Sequence, residues 1–324
     1  MKIFNYALIG LGLFLIGCDT TSTNETTDVQ NELSVLLDND ELIAFVGFED
    51  DGTPDLDYTS GIEEDGGFGR IMADTLWPNN DDYRIRLGRT KDSLSREVQW
   101  DIDEDNGIAF AHITRTVFGK LRIIAIDSNH AVVDSFVKPF ESLFNQSVRF
   151  IQNDDENGRP WIVDAFTIGN GKMGDKVSIQ QFAVYQPDSA NPLYSFNTND
   201  LGNVYISRDS IPSFTFRTPV RFEVSVSNTG PEFPYRSGEA VLLKYGRSRH
   251  EGGRSKFSDS GTGFDAIAND NIFTNVWRIH GPGQGHQRRV FMAWFEVIDF
   301  GTLYAEDEAV HSEMWRIPYR SVRP

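Results

Sequence analysis

The sequence predicts an α+β domain, with helices packed on a curved antiparallel sheet, followed by an all-β sandwich. Apolar residues recur at helical spacing mainly near the start, whereas later segments alternate apolar and polar residues between Gly, Asn and Asp turns. Charge divides the 324-residue chain similarly: residues 1–175 carry a formal charge of −18 and residues 176–324 carry none. We therefore expect an α+β domain at residues 34–175 and a sandwich at residues 176–324.

The first predicted unit begins with a helix. Leu33–Phe48 carries leucine, isoleucine and valine at roughly helical spacing, and Asp38 or Asp40 could cap a second short helix. A covering helix or loop is also possible at residues 137–144.

Two antiparallel hairpins complete the first unit. One is predicted over residues 96–127, with a turn at Asp103–Gly107 and a kink or bulge at Gly119. The other is predicted over residues 147–168, around the turn-forming stretch NDDENGRP.

Helices followed by long antiparallel strands resemble the cone-shaped nuclear transport factor 2-like fold, over about residues 34–170. Members of that fold often hold a small molecule between helices and sheet; some are enzymes and many are accessory domains. The resemblance implies a pocket here, with Trp77, Tyr83, Trp100 and His112 as its candidate lining. The alternatives are an ordinary aromatic core and a His112 that is a surface or hydrogen-bonded structural residue.

The sequence of the second unit predicts antiparallel β-structure. In Val220–Gly230, apolar residues at 220, 222, 224 and 226 alternate with polar ones, which is typical of a strand with one buried face. Further strands are predicted at residues 177–186, 240–247, 271–279, 288–299 and 313–322.

Part of this unit resembles a segment frequent in bacterial extracellular Ig-like modules. Their usual form has an Asp-Asp-Gly turn, Gly-Asp, a further Gly-Asp-Gly, then an aromatic residue and Thr. In Phe257–Trp277 the counterparts are Asp259-Ser260-Gly261, Phe264-Asp265, Asp270-Asn271 and Phe273-Thr274, with departures at Ser260, Phe264, Asn269 and Asn271. The resemblance implies an Ig-like sandwich with an adhesive, spacing or carbohydrate-adjacent role.

Three acids in the same segment are a candidate metal site. Asp259, Asp265 and Asp270 could converge on Ca²⁺, which takes six to eight oxygen ligands. The spacing is not that of an EF-hand, because no Glu closes a twelve-residue loop. The alternative is an Asx-rich turn whose carboxylates accept hydrogen bonds from its own amides. Calcium is the only cofactor that the sequence suggests.

A dense basic run is a candidate site for an anion or a partner. Within an acidic protein, such a run could bind an acidic glycan or phosphate, dock the acidic first unit, or form a solvated surface. Its candidate residues are Arg236, Lys244, Arg247, Arg249, Arg254 and Lys256.

Cys18 is the only cysteine, and its surroundings indicate export and lipidation. Met1–Gly17 has the parts of a secretory signal: a basic Lys2 and an apolar run, Tyr6–Ile16, too short to span a bilayer. The sequence LIGC resembles the bacterial lipobox, in which the Cys is acylated and becomes the new N-terminus. This implies a lipoprotein of the cell envelope, facing the periplasm or the cell surface, carrying acyl chains such as palmitate and a flexible tether at residues 18–33.

The composition and the absence of common catalytic motifs argue against several classes of function. The negative charge argues against nucleic acid as a general partner. The chain has no P-loop, Gly-x-Ser-x-Gly or His-Glu-x-x-His motif, and no residue is predicted to be catalytic. The leading hypothesis is a non-enzymatic lipid-anchored protein that acts in binding, spacing or assembly, with an envelope protein or acidic glycan as partner. The alternatives are an envelope enzyme or small-ligand carrier with a pocket in the first unit, and a continuous scaffold within a filament or complex.

Overall fold

The computed structural model describes residues 28–44, 56–57, 83–129, 131–153, 160–231, 238–246, 252–305 and 307–324. Two α-helices lie in these residues, α1 at Asp28–Asn39 and α2 at Phe300–Tyr304. The sixteen strands of the described residues are β1 (Leu56–Asp57), β2 (Tyr83–Asp103), β3 (Ile108–Asp127), β4 (Val132–Gln152), β5 (Trp161–Thr167), β6 (Gly169–Met173), β7 (Val177–Tyr185), β8 (Pro192–Asn197), β9 (Tyr205–Ser207), β10 (Ser213–Thr215), β11 (Pro219–Asn228), β12 (Glu239–Gly246), β13 (Gly252–Lys256), β14 (Ile272–Arg278), β15 (Arg288–Asp299) and β16 (Ser312–Val322).

The prediction of an α+β first domain is wrong, because the described structure is predominantly β. Residues 137–144, predicted as a helix or loop, lie inside β4. Burial alternates along them: Lys138, Phe140 and Phe144 are buried, whereas Pro139 is exposed. A period of two, with a proline in its path, suits a strand and not a helix.

The helix near the start is real but differs from its prediction. It begins at Asp28, within the residues predicted as tether, and ends at Asn39. Residues 41–43 then form a turn, in which the Asp40 carboxylate accepts a hydrogen bond from the N–H of Leu42 at 2.9 Å. Leu33, Leu36 and Leu37 form the buried face of α1.

Both predicted hairpins of the first unit are confirmed. β2 and β3 pair along their full length around the turn, where Gly107 has a φ of +63°. The bulge lies opposite Gly119: the pairing shifts between Lys91 and Ser93. A side chain at Gly119 would place its Cβ 2.0 Å from the carbonyl oxygen of Thr90, so only glycine fits there. β4 and β5 form the second hairpin.

The predicted strands of the second unit are also present. β11 buries Val220, Phe222, Val224 and Val226 on one face, as its alternation predicts. Among the described residues, one four-stranded sheet has the order β14-β11-β7-β8.

The other sheet runs through both predicted units. Its path is β1-β2-β3-β4-β6-β16-β15-β12-β13, with β5, β9 and β10 pairing off this path. β6 links the halves because it pairs with β4 on one side and with β16 on the other. Backbone hydrogen bonds therefore connect the long N-terminal strands directly to the C-terminal ones.

Both faces of β15 and β16 are buried over residues 291–299 and 312–319. One face meets the four-stranded sheet, giving a sandwich-like arrangement in which the rings of Phe182 and Phe295 lie 4.3 Å apart. The other face packs in a second core with residues 117–123 of β3 and 140–144 of β4. In this core the ring centroids of Phe144 and Trp294 lie 5.7 Å apart. The long strands thus fold over the back of the sandwich.

Candidate functional site

The loop between β13 and β14 brings the three predicted acids together. One carboxylate oxygen from each of Asp259, Asp265 and Asp270 lies within 4.8 Å of the others. Two isolated β-bridges, Ser258 with Thr274 and Ser260 with Ala268, hold the base and the middle of this loop. Asp259 and Asp265 are buried.

The same carboxylates also bind the backbone of their own loop. Asp259 accepts hydrogen bonds from the N–H groups of Asp270 (3.2 Å) and Asn271 (3.1 Å). Asp265 accepts one from Gly261 at 2.6 Å. Asn269 and Asn271 adopt positive φ, of 58° and 62°, which asparagine tolerates better than most residues. The loop is therefore an Asx-rich turn, as the alternative interpretation predicts, and it also gathers three carboxylates.

The other two carboxylates of this acidic cluster affect the pKa of Asp259. Burial raises the pKa of Asp259, and the neighbouring charges of Asp265 and Asp270 raise it further, against the two amides that lower it. A cation between the three oxygens would relieve this repulsion. Three carboxylates with further loop oxygens suit a hard cation such as Ca²⁺.

The four candidate pocket residues do not converge where the structure describes them. Trp77 lies outside the described residues, and Tyr83 begins β2. Trp100 is half-buried, with its ring 5.9 Å from that of Phe150. His112 is exposed and sits opposite Gln99, whereas Trp100 sits opposite Ala111. Since successive residues of a strand point to opposite faces, Trp100 and His112 face away from each other.

His112 has a hydroxyl partner. Its Nδ1 lies 2.8 Å from Oγ of Ser147, the residue opposite it on β4. A His–Ser pair can act as base and nucleophile when a third group orients the base. No such orienting carboxylate contacts His112 within the described part of the chain. The pair is a cross-strand contact on an open sheet face.

The basic run is only partly described. Arg236, Arg247 and Arg249 lie outside the described residues. Lys244 and Arg254 occupy opposed positions on β12 and β13, and Lys256 is half-buried at the end of β13. The Nζ of Lys244 lies 3.9 Å from a carboxylate oxygen of Glu296, so this lysine has a partner within its own sheet.

One buried ion pair was not predicted from the sequence. Arg89 and Glu296, 4% and 1% exposed, form a bidentate pair between β2 and β15, with Nη1 to Oε2 at 3.0 Å. Although burial alone would raise the pKa of Glu296, the charges of Arg89 and Lys244 hold it below its ordinary value. The available signal was a single acid inside the apolar run VFMAWFEVI.

Two further buried arginines hold the chain just after α1. Arg115 donates to the carbonyl of Ile43 at 3.1 Å, and Arg316 donates to that of Ala44 at 2.7 Å. Burial lowers the pKa of Arg115 to about 10 and that of Arg316 to about 9. Both remain cationic at neutral pH.

Lys138 on β4 holds a second segment. Its ammonium donates to the carbonyls of Thr302 (2.6 Å), Ala305 and Glu308 (2.9 Å), at and beyond the end of α2. Burial lowers its pKa to about 8. These buried cations therefore hold loop segments against strands through hydrogen bonds to backbone carbonyls, which is a structural role.

Comparison with known proteins gives no family assignment. No protein-family model matches the chain, and no curated protein is significantly similar to it. Within the described residues, neither helix has the length and apolar character needed to cross a membrane.

Proposed function

We propose that this chain is a non-enzymatic, lipid-anchored protein of the bacterial cell envelope that acts in binding, spacing or assembly. The observation that carries the proposal is the continuous sheet, which runs from the long strands β2–β4 through β6 into the C-terminal strands. Such a scaffold suits a protein that holds partners at a fixed distance. The exposed position of His112 on an open sheet face supports the same reading.

The anchor is the part of the proposal that comes from the sequence. Cys18 precedes α1 by ten residues, so a mature chain acylated there would be tethered close to the bilayer. Several acyl chains hold a protein stably, whereas one is marginal. Cys18→Ser should abolish incorporation of radiolabelled palmitate, with wild type labelled in parallel; equal labelling of the two would refute lipidation.

An Ig-like identity for the C-terminal sandwich belongs to this proposal. Two facing sheets and the loop at residues 257–272 support it. Modules of that kind serve adhesion or spacing and rarely catalysis, which agrees with the assembly role.

We further propose that Asp259, Asp265 and Asp270 hold Ca²⁺ as a structural ion. The convergence of their oxygens within 4.8 Å favours this role. Binding to the folded state alone would raise the Tm by linkage. Calorimetry in millimolar calcium and in chelator should therefore give a higher Tm with calcium in wild type and no difference in Asp265→Asn. Equal Tm values for wild type would leave the carboxylates as acceptors for backbone amides only.

A further inference from the structure

Seven arginines gather at one end of the sandwich. They come from three segments, residues 210–222, 276–295 and 317–324, whose sequences contain no Asp, Glu or Lys. In a chain with a formal charge of −18, such a group locally reverses the sign of the charge. We call it the arginine end. Its members are Arg217, Arg221, Arg278, Arg288, Arg289, Arg320 and Arg323.

Backbone hydrogen bonds join the three segments to one another. Their donors and acceptors are Phe216 and Val322 (2.8 Å), Arg217 and Ile279 (2.9 Å), and Arg323 and Gln287 (2.9 Å). The segments include the ends of β11 and β14 from one sheet and of β10, β15 and β16 from the other. Because packed sheets lie about 10 Å apart, the arginines spread over at least about 10 Å.

Six of the seven arginines have no carboxylate within ion-pair distance in the part of the chain that the structure describes. Arg221 is the exception, because its Nε lies 3.1 Å from a carboxylate oxygen of Glu223. Of the other six, four are exposed, whereas Arg289 and Arg320 are half-buried. Their positive charge is therefore available to a ligand.

Two of the guanidinium groups converge on the glycine-rich loop between β14 and β15. Nη2 of Arg323 donates a hydrogen bond to the carbonyl of Gly283 at 2.8 Å. Nη1 of Arg289 lies 3.7 Å from the position that a Cβ would take on the same glycine, whose φ is +94°. Two like charges side by side repel each other, and an oxyanion that accepts hydrogen bonds from both would relieve that repulsion.

The surroundings of the arginine end do not suit a membrane or a protein partner. None of the large apolar residues that are exposed in the described part of the chain lies in the three segments. Segments that lie in a membrane surface carry exposed aromatic or leucine residues, and protein interfaces have an apolar core. The exposed side chains of the loop are instead polar, at Gln284, His286 and Gln287.

The number and spread of the arginines favour a ligand with repeated negative charges. Each guanidinium can bind one carboxylate through two parallel hydrogen bonds, so a single small anion would leave most of the group unused. Nucleic acid carries a charge about every 1.7 Å and would be repelled by the rest of this acidic chain. A glycan with one carboxylate per repeat has wider charge spacing, and its hydroxyls suit the amide and imidazole groups of the loop.

We propose that the arginine end binds an acidic glycan through the carboxylates of its repeating sugars. Arg289 and Arg323 hold one carboxylate beside Gly283, and the exposed arginines around them bind the neighbouring ones. The inference deepens the binding role proposed above and rests on it, but it does not depend on the lipid anchor.

Binding to immobilised polygalacturonate tests the proposal, with the soluble mature chain carrying Cys18→Ser and with neutral dextran as the control surface. We expect saturable binding that weakens as salt rises, and none to dextran. Arg289→Gln/Arg323→Gln should raise the Kd at least about 10-fold. Lys120→Gln/Arg122→Gln, the matched control, removes the same charge from exposed positions on β3 and should leave the Kd unchanged.

A second pair of substitutions separates binding from folding. Arg278 and Arg288 are exposed, so Arg278→Gln/Arg288→Gln should keep the wild-type Tm and still raise the Kd for polygalacturonate. A folding defect in the variant of Arg289 and Arg323 would then leave the proposal testable.

Three outcomes would overturn the proposal. Absence of binding, or an equal loss in the arginine-end variants and in the control, would exclude a specific glycan site. Tighter binding to phosphatidylglycerol vesicles than to polygalacturonate would assign the arginine end to a membrane. Tighter binding to polyglutamate would assign it to an acidic protein. Each failure leaves the palmitate result for Cys18 unaffected, so the anchor is tested separately.

Discussion

Removing Arg89 should destabilise the protein strongly, because it leaves a buried carboxylate without its main partner. The side chains of Arg89 and Glu296 are 5% and 2% exposed, so water cannot replace the lost guanidinium. Breaking a buried pair from one side costs about 3–5 kcal/mol of unfolding free energy. That is a large part of the roughly 5–15 kcal/mol that holds a typical domain. We expect Arg89→Met to show this loss at pH 7.

The effect should depend on pH with a definite sign. Glu296 has a lowered pKa in the folded wild type, so its contribution is present above the ordinary value of 4.5 and is lost as pH falls through the lowered one. In Arg89→Met, burial dominates and raises that pKa, and protonation then removes the buried charge. The stability difference between variant and wild type should therefore shrink as pH falls through 4.5.

Urea unfolding followed by tryptophan fluorescence measures both effects. The double variant Arg89→Met/Glu296→Leu should recover most of the loss, because no buried charge remains. Lys120→Met is the matched control: its ammonium lies 3.9 Å from Asp92, and both side chains are more than half exposed. It should change stability by at most about 1 kcal/mol. A loss for Arg89→Met no greater than that of the control, or one independent of pH, would refute the reasoning.

Two further changes test the packing of the scaffold. Gly119→Ala would bring a Cβ within 2.0 Å of the Thr90 carbonyl and 2.9 Å of the Phe140 ring, so urea unfolding should show a loss of about 1–3 kcal/mol; Gly281→Ala, whose nearest contacts begin at 3.3 Å, should change little, and equal losses would contradict the clash. Burial beside Tyr245, Phe291 and Tyr319 lowers the pKa of His280 from 6.5 to about 4, so its contribution to stability is fully present above pH 6.5 and is lost as pH falls from 6.5 to 4. His280→Gln should flatten the fall in Tm between pH 7 and pH 5, and parallel curves would rule His280 out.

Local pattern predicted much of this β-structure. The alternation in β11 and the turn before β3 depend on neighbouring residues, and both are present as expected. The three acids at 259, 265 and 270 lie within twelve residues of one another, so their convergence was also predictable.

Non-local partners explain what local pattern missed. Lys138 and Pro139 interrupt the apolar alternation of β4. The buried position of Lys138 is explained by hydrogen bonds to carbonyls that lie more than 160 residues away in the sequence. Arg89 and Glu296 are separated by 207 residues. Sequence spacing carries no sign of such a pairing. The α+β prediction failed for a different reason. Phe140 and Phe144 are four residues apart, a spacing that suits one face of a strand as well as one face of a helix.

Capture from native envelopes tests the central claim most directly. Envelopes from cells that make tagged wild-type or Cys18→Ser chain would be cross-linked, fractionated and purified through the tag. The account predicts that wild-type chain is recovered from the membrane fraction in a cross-linked assembly of reproducible mass, and that the variant is lost from that fraction. Wild-type chain recovered as an uncross-linked monomer, or a variant that stays in the membrane fraction, would contradict it.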